Sequence, residues 1–138
     1  RRASKIMRLN RLIEEQLDAS DNSLDYTTGF DYDGAGNRLE QLKDLGGDGS
    51  VEQTTTYVYD ANDRLLSETF DAAGTAEDRH TVYSYDADGD GVNEATVQTG
   101  KAVYAGLDDT GTLESRTSYT FDERGRLSLV RSTNRLGG

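Results

Sequence analysis

The stretch Asp86-Ala87-Asp88-Gly89-Asp90-Gly91-Val92-Asn93-Glu94 sets carboxylates at the first, third, fifth and ninth positions of a glycine-bearing loop. In the spacing D-x-D-x-D-G-x-x-[DE], alternate carboxylates turn their oxygens inward and Gly91 permits the sharp bend. The carbonyl of Val92 adds a further oxygen, and Glu94 closes the shell. Hard oxygen donors at this density suit Ca2+, so Asp86, Asp88, Asp90, Val92 and Glu94 are the candidate metal ligands. The twelve-residue helix–loop–helix calcium pattern is not met, because its twelfth position is Val97 instead of Glu. The plainer alternative is a solvated acidic turn, in which the carboxylates repel one another when no cation is present.

Other chemistry is poorly supplied. His80 is the only histidine and there is no cysteine, so nothing activates a serine or threonine as a nucleophile. Gly46-Gly47-Asp48-Gly49-Ser50 lacks the lysine and the following helix of a phosphate loop and is read as a hairpin turn. No catalytic residue is assigned, and a non-enzymatic protein is expected. A net charge of -11 and a pI near 4.4 argue against nucleic acid and against anionic membrane surfaces. No apolar run is long enough for a membrane-spanning helix, so no membrane insertion is expected. The chain begins at Arg1-Arg2 without an initiator methionine, and a piece of a longer protein or a processed product is expected.

The elements that position the loop come from an internal repeat. Eight of the eleven Tyr and Phe residues fall in four copies of aromatic-x-aromatic-Asp: FDYD at 30–33, YVYD at 57–60, YSYD at 83–86 and YTFD at 119–122. Three copies are followed by turn residues and an Arg-Leu pair: DGAGNRL at 33–39, DANDRL at 60–65 and DERGRL at 122–127. From Arg11 to Asp33, Arg38 to Asp60 and Arg64 to Asp86 the distance is 22 positions each time. A period of about 26 residues calls for repeat architecture.

Each unit reads as two strands and two turns. A strand follows Arg-Leu, then a turn such as GGDGS at 46–50, DAAGT at 71–75 or DDTGT at 108–112. A second strand rich in β-formers ends in the aromatic pair, whose two rings share one face. Asp-x-x-Gly in DGAG and DERG signals a type I turn with a bulge, and Asp63 stands where that turn wants glycine. Residues 4–18 look helical in isolation. RLIEEQLDAS at 11–20 nevertheless aligns with RLLSETFDAA at 64–73, so 11–17 is predicted to be a strand.

Tyr-x-Tyr-Asp-x-x-Gly-Arg-Leu, repeated with Asp-x-x-Gly-Thr turns between, resembles the YD repeat, also called the Rhs repeat, over about Arg11 to Leu129. The resemblance implies a spiralling antiparallel sheet, part of a larger shell or barrel. Shells of this kind occur in bacterial polymorphic toxins and insecticidal toxin complexes, where they enclose a toxic domain, and in teneurins at cell surfaces. It also marks Phe30, Tyr32, Asp33, Tyr57, Tyr59, Asp60, Arg64, Leu65, Tyr83, Tyr85, Tyr119, Phe121, Asp122, Arg126 and Leu127 as repeat-defining structural residues. The proline-bearing cleavage motif of the family is not in this chain, which has no proline.

The expected fold is therefore all-β: one array of antiparallel hairpins in units of about 10–33, 34–60, 61–86 and 87–122, a partial unit 123–138, and an insertion at 86–97. The strand at 11 and RLSLVRST at 126–133 are expected to be open edges, covered by neighbouring repeats or identical subunits. The expected role is a structural scaffold of a secreted or bacterial cell-surface protein, stiffened by Ca2+, with an enclosed toxin domain or a glycan as a further expected partner. The alternative is an adhesin or filament module that binds glycans or self-assembles through exposed aromatics and strand edges.

Overall fold

The computed structural model describes residues 2–6, 11–17, 25–74 and 77–135. These form one open sheet of ten strands, each hydrogen-bonded to its sequence neighbours in antiparallel sense, and no helix occurs among the described residues. The strands are β1 (Arg2–Ile6), β2 (Leu12–Leu17), β3 (Tyr26–Tyr32), β4 (Arg38–Asp44), β5 (Gln53–Tyr59), β6 (Leu65–Ala72), β7 (Arg79–Ser84), β8 (Gly100–Ala105), β9 (Thr112–Phe121) and β10 (Leu127–Asn134). The helical look of 4–18 gives way to β1 and β2, because each strand gains a ladder partner while a lone helix of that length is marginal in water.

β1 corrects the expectation that the strand at 11 forms an open edge. It pairs with β2 from Arg2↔Leu17 to Ile6↔Leu12, slipping register between Lys5 and Ile6. The same slip falls between Val58 and Tyr59 in the β5–β6 hairpin, just before the pair Tyr59↔Leu65. β1 and β2 are thus a degenerate copy of the unit, with Ile6 at the register position of an aromatic. β8 also forms although unit three has lost its Arg-Leu pair.

The turns after the aromatic pairs adopt the predicted geometry. The fourth residue of each turn donates its amide to the carbonyl of the aspartate, from Gly36 to Asp33, Asp63 to Asp60 and Gly125 to Asp122. These residues have φ of 102°, 59° and 74°, and Asp63 is the one non-glycine with positive φ among the described residues. A bulge next to each turn completes the hairpin.

This sheet is a single layer. Among the described residues only Ala72 and Tyr85 are buried apolar side chains, whereas Val58, Leu127, Leu129 and Val130 are exposed. Cohesion comes from side chains laid along the sheet surface from unit to unit. Guanidinium groups lie over aromatic rings: Arg11 over Tyr32 at 5.7 Å, Arg38 over Phe30 at 4.4 Å and Arg64 over Tyr85 at 4.9 Å.

Candidate metal centre

The repeat aspartate organises its own turn. Asp60 accepts the amides of Asn62 and Arg64 at Oδ1 and Nε of Arg64 at Oδ2, 2.6 Å away. Asp122 repeats the pattern with Arg124 and Arg126, whose Nε donates at 2.8 Å. In the first unit the partner is Asn37. It donates its amide to Asp33 Oδ1 and its Nδ2 to Asp33 Oδ2, at 2.8 and 2.9 Å. The turn itself has the same length as in the other units and the added residue lies after it, so Asn37 fills the place of Arg64, and Arg38 pairs with Tyr32 as Leu65 pairs with Tyr59. Aligning Arg38 with Arg64 by the Arg-Leu pair is therefore off by one, and of the three arginines spaced 22 residues before a repeat aspartate, Arg11 alone bonds that aspartate among the described residues. Arg38 instead lies on Phe30 with a buried Nε that has no partner among the described residues.

The turn donors hold these carboxyls ionised. Asp60 and Asp122 are pulled below the ordinary aspartate value first by the amides of Arg64 and Arg126, and Asp33 first by the Asn37 side chain. The arginine at this position also reaches into the next unit. Arg11 Nη1 donates to the Asp33 carbonyl at 2.9 Å, 22 residues on. Arg64 Nη2 donates to the Asn93 carbonyl at 2.9 Å and Nη1 to the Ala95 carbonyl. The tyrosine that ends the next unit reaches back. Tyr32 donates its hydroxyl to the Leu12 carbonyl at 2.6 Å, and Tyr85 to the Leu65 carbonyl at 3.0 Å. Asn37 links turns too, donating Nδ2 to Asp63 Oδ1 at 2.8 Å.

Asp86 stands where Asp60 and Asp122 do, but its turn has grown into a loop between β7 and β8. Arg64 holds the far leg of that loop, and Asn93 Oδ1 accepts the Tyr85 amide at 2.7 Å. Asp86 accepts the Gly89 amide at Oδ1 and the Gly91 amide at Oδ2, 2.6 and 2.7 Å away. Those two donors, Gly91 first, lower its pKa. Glu94 closes the loop by accepting the Ala87 amide at 2.6 Å. Asp86, Asp88, Asp90 and Glu94 thereby bring one oxygen each within 4.8 Å of one another. Val92, expected to add its carbonyl oxygen, lies in the same loop and donates its amide to Asp90 Oδ1 at 2.8 Å.

A second carboxylate group went unread in the sequence. Asp44, Asp48 and Glu52 also bring their oxygens within 4.8 Å of one another, in the loop between β4 and β5. The wiring matches: Gly49 donates to Asp44 Oδ2 at 2.7 Å, as Gly91 does to Asp86, and Leu45 donates to Glu52 at 2.7 Å, as Ala87 does to Glu94. Gly47 and Gly49 have positive φ, as do Gly89 and Gly91. Both loops thus read D-x-x-G-D-G-x-x-E, and the shared Gly-Asp-Gly was the available signal. Gly46 replaces the third-position carboxylate, leaving one ligand fewer. Burial works to raise the Asp44 pKa, but the amides of Gly49, Gly46, Gly47 and Asp48 outweigh it and the net shift is down.

Both groups offer only oxygen, a donor set suited to Ca2+, Mg2+ or Mn2+ and unsuited to softer metals. His80 lies in β7 with Nδ1 2.8 Å from Thr69 Oγ1, its cross-strand partner, and no carboxylate is bonded to it among the described residues. The repeat aromatics Phe30, Tyr32, Tyr57, Tyr59, Tyr83, Tyr119 and Phe121 are half-buried, and Tyr85 is 8 % exposed.

No protein-family model and no curated protein matches the chain. Among solved structures, a protein of unknown function from Bacteroides fragilis matches 97 % of this chain and 91 % of its own at 12 % identity, with a TM-score of 0.21.

Proposed function

We propose that this chain is a non-enzymatic scaffold segment of the YD or Rhs-repeat type, from a secreted or cell-surface protein, with Ca2+ held in the loop of residues 86–94. The observation that carries the proposal is the clip between units. An arginine reaches forward to the next turn while a tyrosine reaches back to the carbonyl beside that arginine. Side chains spent in this way tie one unit to the next and propagate a sheet.

Calcium follows from the same logic. The Asp86 loop carries four carboxylates whose amide bonds fix them in place, and each oxygen of an ionised carboxylate keeps a lone pair beyond the one such a bond uses. A divalent cation turns their repulsion into coordination and stiffens the β7–β8 connection. In a single-layer sheet with little buried apolar surface, that stiffening counts for more than it would over a packed core. The glycan-binding alternative needs aromatic faces open to solvent, and the half-burial of the repeat aromatics favours the scaffold.

Isothermal titration of Ca2+ into the metal-free chain tests the proposal, alongside Asp88→Asn and Asp90→Asn. Saturable heat that both variants diminish supports it. Absence of calcium-dependent heat, with melting unchanged by chelator, overturns the metal and leaves an acidic turn.

A further inference from the structure

The ladders between hairpins stop short of the aromatic turns. β2 and β3 pair as far as Glu14↔Gly29, β4 and β5 as far as Glu40↔Thr56, and β6 and β7 as far as Ser67↔Val82. Tyr32, Tyr59 and Tyr85 each lie three residues beyond the last of these pairs. Past that point, the hydrogen bonds that join one hairpin to the next at these three junctions come from side chains among the described residues.

At two of the three junctions the clip is complete. Arg11 donates to the Asp33 carbonyl and Tyr32 to that of Leu12; Arg64 donates to the Asn93 carbonyl and Tyr85 to that of Leu65. Each of these arginines also lies over the tyrosine that reaches back.

At the junction between them, β4 with β5, both halves are missing. Asn37 holds the turn position of Arg64, and its shorter side chain crosses only to Asp63 Oδ1 at 2.8 Å, an exposed bond. Arg38 stays within its own hairpin, over Phe30 at 4.4 Å and with Nη1 on Gln41 at 3.4 Å, and its buried Nε has no partner. The Tyr59 hydroxyl has no hydrogen-bond partner among the described residues, and no guanidinium lies over its ring there.

The β8–β9 junction lacks the clip as well, since Phe121 has no hydroxyl, but other bonds stand in for it. Its ladder runs from Ala105↔Thr112 to Gly100↔Ser118, the Tyr119 amide adds a bond to the Thr99 carbonyl at 2.8 Å, and Arg79 pairs with Glu114 at 2.6 Å.

We infer that the β4–β5 junction is the hinge of the array, opening first at its aromatic end so that the sheet bends there while the clipped hairpins on either side move as units. Its ladder matches that of β6–β7, so the difference lies in the missing side-chain bonds. Local opening follows the weakest set of such bonds. A scaffold that must curve or yield does so at this seam, whatever ion the loop of residues 86–94 holds.

The test is native-state hydrogen exchange on the full chain, with chelator present so that no cation contributes at 86–94. Ladder amides nearest the aromatic end of β4–β5 should exchange about tenfold faster than those of β6–β7, because a charged-donor bond and a hydroxyl bond are replaced by one exposed bond from Asn37. Asn37→Arg combined with Arg38→Leu gives this turn the order of residues 60–65 without moving the register, and should slow that exchange about tenfold. The tyrosines answer even if the double variant fails to fold. Tyr85→Phe should speed β6–β7 exchange about fivefold, whereas Tyr59→Phe should leave that of β4–β5 within about a factor of two. Equal exchange at the two junctions overturns the hinge, as does a Tyr59→Phe effect as large as that of Tyr85→Phe, or a folded double variant whose β4–β5 exchange is unchanged. Tyr85→Phe without effect would instead remove the clip itself, and with it the observation that carries the scaffold reading.

Discussion

Arg64→Ala, compared with Arg126→Ala, isolates the contribution of the forward-reaching clip. Both arginines bond their own aspartate through Nε, at 2.6 and 2.8 Å, so that local bond is common to both variants. Only Arg64 adds the two carbonyls of Asn93 and Ala95 and the stack on Tyr85 at 4.9 Å. Hydrogen bonds from a charged donor contribute about 1.5–3 kcal/mol each and a partly desolvated cation–π contact about 1–2 kcal/mol. These share one side chain and overlap, so the summed figure is an upper bound. Arg64→Ala should cost about 2–4 kcal/mol and Arg126→Ala less than about 1 kcal/mol. Arg64→Lys should recover only a minor part, since an ammonium cannot span two carbonyls and a carboxylate at once. Urea unfolding followed by tyrosine fluorescence measures all three on one scale. Equal costs at positions 64 and 126 would refute the clip, and full recovery by lysine would show that charge alone matters there.

Calcium at 2 mM, with a dissociation constant on the order of 0.1 mM, should stabilise the chain by about 1.8 kcal/mol and raise Tm by about 5–10 °C. Asp88→Asn should remove most of that rise while Asp48→Asn, in the three-carboxylate loop, removes less; a wild-type Tm indifferent to calcium refutes the site. The pKa values of Asp33, Asp60, Asp86 and Asp122 are lowered on folding, so the stability they lend is present above the ordinary aspartate value. It should be lost as pH falls below about 4 and on through the folded values, and a Tm that holds steady down to about pH 2 contradicts this. Gly111→Ala would place a Cβ 1.8 Å from the Ala105 carbonyl oxygen, in the turn between β8 and β9. The backbone must move, at a cost of about 1–3 kcal/mol, and an unchanged melting curve would show that the turn has room.

The sequence by itself determined the hairpin series. Aromatic residues two apart, followed by Asp and then by Gly or Asp63 three positions later, fix strand, turn and positive φ through interactions within a few residues. The carboxylate spacing at 86–94 was legible for the same reason, since one loop contains all four groups. Tertiary structure decided what depends on the neighbouring strand. β1 has no local signature and exists because β2 offers it a ladder. Asn37 takes the turn position that Arg64 holds because the hairpin keeps its register while the Arg-Leu pair sits one residue further along, which sequence alignment by that pair conceals. The Asp44 loop hid behind a missing third carboxylate, and only its amide donors, arranged as around Asp86, revealed the likeness. Short-range geometry is written in residue spacing; contacts between units depend on register, and register is settled only when the strands meet.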